Sequence, residues 1–139
     1  MVIKVHYDIE KFRLRDSKTL KSAIARIITD SDMKPGTVDL VFTGDRKVYE
    51  INSEFLGHDY YTDVITFNYN SGTTVNGEVY ISTDRVRENA EKFNVPFRTE
   101  LKRVVFHGIL HLCGYDDRTA EQKAKMTEME EMYLALSYS

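Results

Sequence analysis

A helix with no polar face must lie inside a protein, and residues from about Arg98 to Cys113 read as such a helix. Past Arg103 its apolar side chains occur on nearly every side, and the exceptions are His107 and His111. Residues four apart on a helix project from one face about one turn apart, so both imidazoles can reach a single metal ion. Gly114, three residues after His111, can take the left-handed conformation that ends a helix and turns the chain back. Asp117 then returns as a third ligand, with Asp116 beside it as the alternative. Three protein ligands leave a position open to water, the arrangement of a catalytic zinc site and not a structural one. The competing reading is two histidines satisfied by hydrogen bonds in a core.

A core of some size is expected around this helix. The chain has 139 residues, 42% of them hydrophobic, which suits one α+β domain over residues 1–139 without staples. The single cysteine, Cys113, excludes an internal disulfide and suits a reducing compartment. On the helical wheel it points away from His107, so it reads as a small core residue and not a ligand. No apolar run approaches the roughly 18 residues of a membrane span, and Met1–Val5 looks like a first strand and not a signal peptide. A soluble, cytoplasmic protein is the expectation. The net charge of -3 provides no global attraction to nucleic acid.

In chain order, Ile3, Val5 and Tyr7 alternate as a half-buried strand with His6 outward. Asp16 or Ser17 caps a helix striped by Leu20, Ala23, Ile24, Ile27 and Ile28, which ends by Pro35-Gly36. Val38, Leu40 and Phe42 form a second strand. Gly44-Asp45 opens a short helix with Val48, Ile51, Asn52 and Phe55 inward, stopped by Gly57-His58-Asp59. A third strand over about Tyr61–Tyr69 and a fourth over Glu78–Ser82 make a hairpin. Asp84 caps a helix with Val86, Ala90 and Phe93 inward; Thr119 and Gln122 have capping-box spacing before a closing helix striped by Met126, Met129, Tyr133 and Leu136. This order predicts one four-stranded mixed sheet packed with about five helices, its first two strands parallel across a crossover helix.

Three blocks resemble the bacterial YbeY family of endoribonucleases, also called rRNA maturation factors. The segment Tyr61-Thr62-Asp63-Val64-Ile65-Thr66-Phe67 looks like the family's T-D-V-L-S-F, and Gly77–Ser82 is similar to its G-D-I-x-I-S strand. The stretch from His107 matches H-G-x-L-H-L-x-G-Y-D-H in all but its last ligand, and Met126 and Glu130 stand where the family's final helix carries a Met and a Glu. The resemblance implies a zincin-like fold and a zinc-dependent, single-strand-specific endoribonuclease acting in 16S rRNA 3′-end maturation and ribosome quality control. Single-stranded RNA and the small ribosomal subunit would be its partners. Two departures stand out. Asp117 occupies the place of a histidine, which lowers the formal charge of the metal cluster and makes Mn²⁺ or Fe²⁺ more competitive with Zn²⁺. Leu56 occupies the place of an arginine facing the RNA, and leucine cannot bind a phosphate. Arg46, Lys47, Arg85 and Arg87 are the candidate replacements.

Where zinc proteases of the H-E-x-x-H type carry a glutamate base, this chain has Gly108. Phosphodiester cleavage suffers less from that loss, because a cation directly stabilises charge on the nonbridging oxygens. Asp63 and Asp116, with Thr62, are the candidates for supporting the chemistry, while His58 reads as a surface histidine. Two other readings compete. One is a metal-dependent protease or other hydrolase, which the missing glutamate disfavours; the other is a ribosome-associated metal-binding module with little nuclease activity, which Leu56 favours.

Overall fold

Alternating apolar residues in the first strand and the stripe of the first helix form the elements they suggest. The computed structural model describes residues 2–137. It orders β1 (Val2–Tyr7), α1 (Ser17–Asp30), β2 (Lys34–Thr43), α2 (Asp45–Leu56), β3 (Val64–Asn68), β4 (Thr74–Ser82), α3 (Thr83–Phe93), α4 (Phe97–Leu112) and α5 (Ala120–Ser137). The strands pair in the order β1-β2-β4-β3. Neighbours β1, β2 and β4 are parallel, and β3 runs antiparallel to β4, so the sheet is mixed and the hairpin is present.

Each face of the sheet buries a different set. Val38, Leu40 and Phe42 of β2 and Val75, Val79 and Ile81 of β4 pack into the main core with α1, α4 and α5. On the opposite face α2 lays Val48 and Ile51 against Ile65, Phe67 and Tyr80. Helix α4 touches α1, α3, α5 and both hairpin strands, which is why its sequence is apolar nearly all round.

The ends of several elements differ from expectation for local reasons. Helix α1, capped by Asp16 accepting from the Thr19 amide at 3.1 Å, stops at Asp30, and Pro35-Gly36 lie inside β2. The proline is accommodated because the β2–β4 register is irregular between Pro35 and Val38. Strand β3 is shorter than expected and β4 longer. Ser82, not Asp84, caps α3, accepting from the Arg85 amide at 3.1 Å, since β4 passes into the helix without a linker. Asp84 instead accepts from the Asp45 amide at 2.9 Å, at the start of α2. Phe55, Phe93 and Leu136, expected inward, are exposed. Phe55 falls near the end of α2, beyond the narrow strip where that helix meets the sheet, and it reaches only the edge of Phe67. The capping box holds as read: Gln122 Oε1 accepts from the Thr119 amide at 3.1 Å and Thr119 Oγ1 from the Gln122 amide at 3.1 Å. Among the described residues no helix is long and apolar enough to cross a membrane.

Candidate metal centre

Helix α4 approaches the hairpin closely enough that position 108 has no room for a side chain. A Cβ there would stand 2.8 Å from Val79 Cγ1 and 3.3 Å from Val64 Cγ2. The glycine faces the sheet, and His107 and His111, about 100° and 60° from it around the helix axis, flank that contact and reach Asp117 of the following turn, with His107 also reaching Glu130 of α5. Gly114 takes the expected left-handed conformation at φ 99° and sends residues 115–119 back across the helix end. Asn70, in the β3–β4 connection, donates to the Leu112 carbonyl at 2.8 Å, and Asn68 of β3 donates to it at 3.5 Å, so the carbonyl left open at that helix end is satisfied.

The turn brings Asp117 to both histidines. Its Oδ2 lies 3.3 Å from His107 Nε2 and 3.4 Å from His111 Nε2, and the two Nε2 atoms are 3.0 Å apart. Donors about 2.0–2.1 Å from a tetrahedral zinc ion stand about 3.3–3.4 Å from one another, so this triangle fits one ion with little movement. His107, His111 and Asp117 are thus a possible metal-binding site. Asp116 is exposed and outside the cluster. Cys113 is a free thiol packed partly against the main core.

A feature spanning α4 and α5 supports this triangle. Glu130, almost fully buried, sits 2.7 Å from His107 Nδ1. A carboxylate at that nitrogen holds the proton on Nδ1 and leaves the Nε2 lone pair directed at the triangle's centre. Arg103 in turn reaches Glu130, Glu131 and Glu100 at 3.6, 2.6 and 3.3 Å, so the buried acid has a fixed counter-ion. Burial of the His107 ring acts to lower its pKa, but Glu130, Asp117 and Asp63 together outweigh that and hold it above the ordinary histidine value.

Asp63 enters from the start of β3. Burial pushes its carboxyl pKa up, opposed in part by the charge of His107, and Asn89 of α3 donates to Oδ2 at 3.3 Å. The loop before it is pinned by the buried Asn52, whose carbonyl accepts from the His58 amide at 3.0 Å and whose side chain donates to the Tyr60 carbonyl at 2.9 Å. His58 is exposed and stacked on Tyr60, as expected of a surface histidine. Of the basic residues that could replace the family arginine, Arg85 pairs with Asp45 at 3.0 Å and lies 5.2 Å over the Tyr61 ring, and Arg46 pairs with Glu50 at 3.3 Å. Arg87 instead lies over Phe97, and Leu56 is exposed. The sequence placed the two histidines and Asp117 but marked Glu130 only by its family position, and it carried no signal for Arg103 or Asn89.

Residues 4–137 match the family model described as endoribonuclease YbeY. The chain belongs to that family. Among its relatives are the endoribonuclease YbeY of Flavobacterium psychrophilum, 39% identical over 97% of this chain and 96% of that protein, and that of Chlorobaculum parvum, 44% identical over 88% and 86%. The solution structure of a Thermotoga maritima protein superposes with a TM-score of 0.65 and 31% identity, covering 99% of this chain and 89% of that one. The YbeY resemblance of the motif blocks thus extends to nearly the full sequence, and the fold agrees with the α+β expectation.

Proposed function

We propose that residues 1–139 act as one YbeY-like endoribonuclease domain that cuts single-stranded RNA with a divalent metal, in 16S rRNA 3′-end maturation and ribosome quality control. The observation that carries this reading is the triangle of His107 Nε2, His111 Nε2 and Asp117 Oδ2, with Glu130 fixing the His107 tautomer, in a chain of this family. These three residues would hold the ion. Zinc suits two imidazoles and a carboxylate, and the oxygen ligand keeps Mn²⁺ and Fe²⁺ as competitors. A bound cation would supply Lewis-acid stabilisation of charge on the phosphate's nonbridging oxygens and acidify a water. The small ribosomal subunit would be the setting and the cytoplasm the location.

The chain's own residues would manage orientation and protons. Glu130 holds His107 and Arg103 holds Glu130, so the ligand geometry is set before RNA arrives. Asp63 would take a proton on its carboxylate from the attacking oxygen, a role supported by the burial that raises its carboxyl above the usual value and makes it a better base near neutral pH. Asp116, exposed on the same turn as Asp117, is the second candidate and would exchange protons with solvent. Gly108 counts against peptide hydrolysis: the residue that serves as base in H-E-x-x-H enzymes is here pressed on Val79, and a glutamate has no space. The exposed Leu56 supports the alternative of a ribosome-associated metal-binding module, because leucine offers a phosphate no hydrogen bond.

The deciding experiment compares cleavage of a single-stranded RNA from the small-subunit rRNA 3′ end by zinc- or manganese-loaded protein and by a folded His107→Ala variant. Metal-dependent cutting that disappears in the variant supports the nuclease. Equal background cutting in both, with cosedimentation on ribosomal subunits, shifts the assignment to the binding module.

A further inference from the structure

Away from the histidines, the segment leading into α1 and the first turns of α4 enclose a cavity of about 850 Å³, within the roughly 300–1,000 Å³ that small ligands occupy. Its floor is apolar, with Phe12 and Phe97 in edge contact at 5.9 Å. Its rim is cationic. Arg13, Arg15, Arg98 and Lys102 line the cavity against a single carboxylate, Asp16. That carboxylate is already engaged: its hydrogen bonds to Thr19 at the start of α1, with smaller contributions from Lys102 and Arg98, hold its pKa below the usual range. Arg15 and Arg98 close no ion pair with another described residue. Positive charge is therefore concentrated here on a chain whose net charge is -3.

Guanidinium forks bind phosphate oxygens bidentately, and an apolar, aromatic floor beside them suits a nucleobase or ribose better than a bare anion. The cavity is not part of the metal centre. Along α4, Arg98 and Lys102 precede His107 by about 14 Å and about 8 Å of helix rise, and both point about half a turn away from His107 and His111 around the helix axis.

We propose that this cavity is a second, noncatalytic site for a nucleoside phosphate, filled by a nucleotide of the RNA strand that is cut at the metal centre. The proposal rests on the ribonuclease reading for its source of ligand. A long RNA anchored there gains affinity without any added interaction at the scissile bond, which offers compensation for Leu56 standing where the family has an arginine. A free nucleotide would present the same chemistry, so the test must separate the two.

The experiment uses the full chain and an Arg15→Ala/Arg98→Ala variant, both changes at exposed side chains. Metal-free protein is titrated with a labelled single strand of about 20 nucleotides at several salt concentrations; the variant should bind about tenfold more weakly, with a salt slope smaller by about 0.7 for each phosphate it no longer neutralises. Metal-loaded variant should cut a trinucleotide, too short to reach around the helix, at the wild-type rate. Unchanged long-strand affinity and slope would overturn the proposal. Saturable adenosine monophosphate binding that is absent in the variant, with long-strand affinity unchanged, would overturn the RNA source and assign the cavity to a free nucleotide. A long strand that binds in this arginine-dependent way but is never cut, with any metal, would refute the ribonuclease reading and leave the site standing.

Discussion

Replacing Glu130 tests whether the tautomer of His107 is what makes the triangle a metal site. Its Oε2 lies 2.7 Å from His107 Nδ1 in a nearly dry environment, and Arg103 holds the other oxygen at 3.6 Å. Glu130→Gln keeps an oxygen acceptor of the same shape but removes its charge. Charge-assisted hydrogen bonds are about twice as strong as neutral ones, so the loss is about 1–1.5 kcal/mol, close to tenfold in metal affinity. Glu130→Ala leaves the Nδ1 proton without an acceptor and Arg103 without one of its carboxylates, which moves the expectation to about 100-fold. Removing the charge also lowers the His107 pKa, and weaker proton competition offsets a little of the loss. The assay is competition for zinc with a chromogenic chelator near neutral pH, with circular dichroism of each metal-free variant as the folding control. A folded Glu130→Ala protein that binds zinc within twofold of wild type would refute the reasoning.

Other consequences follow from the same geometry. Asp117→Ala should abolish tight zinc binding while Asp116→Ala leaves it unchanged, and the reverse pattern in the same competition assay would transfer the ligand role to Asp116. Asp117→His restores the family's three-histidine set and should tighten zinc; unchanged or weaker affinity would count against Asp117. For Gly108→Ala, the collision with Val79 at 2.8 Å costs about 1–3 kcal/mol and the helix preference for alanine returns about 1 kcal/mol, so urea unfolding should show a net loss of about 1 kcal/mol; a gain in stability would mean that α4 is not held tightly on the sheet. His107 has a raised folded pKa, so its contribution to the metal-free protein is complete below the unfolded histidine value near 6.5 and lost as pH rises through the folded value, by at most about 1.4 kcal/mol per pH unit. Zinc needs the neutral ring, so its stabilisation should increase over the same window, and calorimetric Tm values with and without chelator should diverge as pH rises.

Much of this was legible because local rules and tertiary packing agreed. The period-two strands, the αL glycine at Gly114 and the reciprocal Thr119–Gln122 cap each act within a few residues, and the all-round apolar α4 announced its central place. The histidine pair was legible because one helix sets its geometry. Asp117 was legible because a glycine stood where the chain had to turn. What a short window cannot contain was not legible from local rules, so Glu130 was marked only by its family position and Asn89 not at all. Glu130 meets His107 across 23 residues only because α5 packs on α4, and Asn89 reaches Asp63 from a third helix. Helical periodicity alone turned Phe55 and Phe93 inward, whereas α2 has sheet beneath only part of its length and Phe93 sits in the last position of α3. Capping chemistry identified Asp84 as a cap correctly in kind but assigned it to the wrong helix, since the geometry that joins it to α2 is tertiary.

The most direct test of the central claim titrates metal-free protein with zinc while following bound metal and cleavage of the rRNA 3′-end strand in one series, alongside folded His111→Ala. Cleavage should rise in proportion to occupancy, reach its plateau at one ion per chain and disappear in the variant. Full cleavage by His111→Ala, or cleavage independent of occupancy, would contradict that claim.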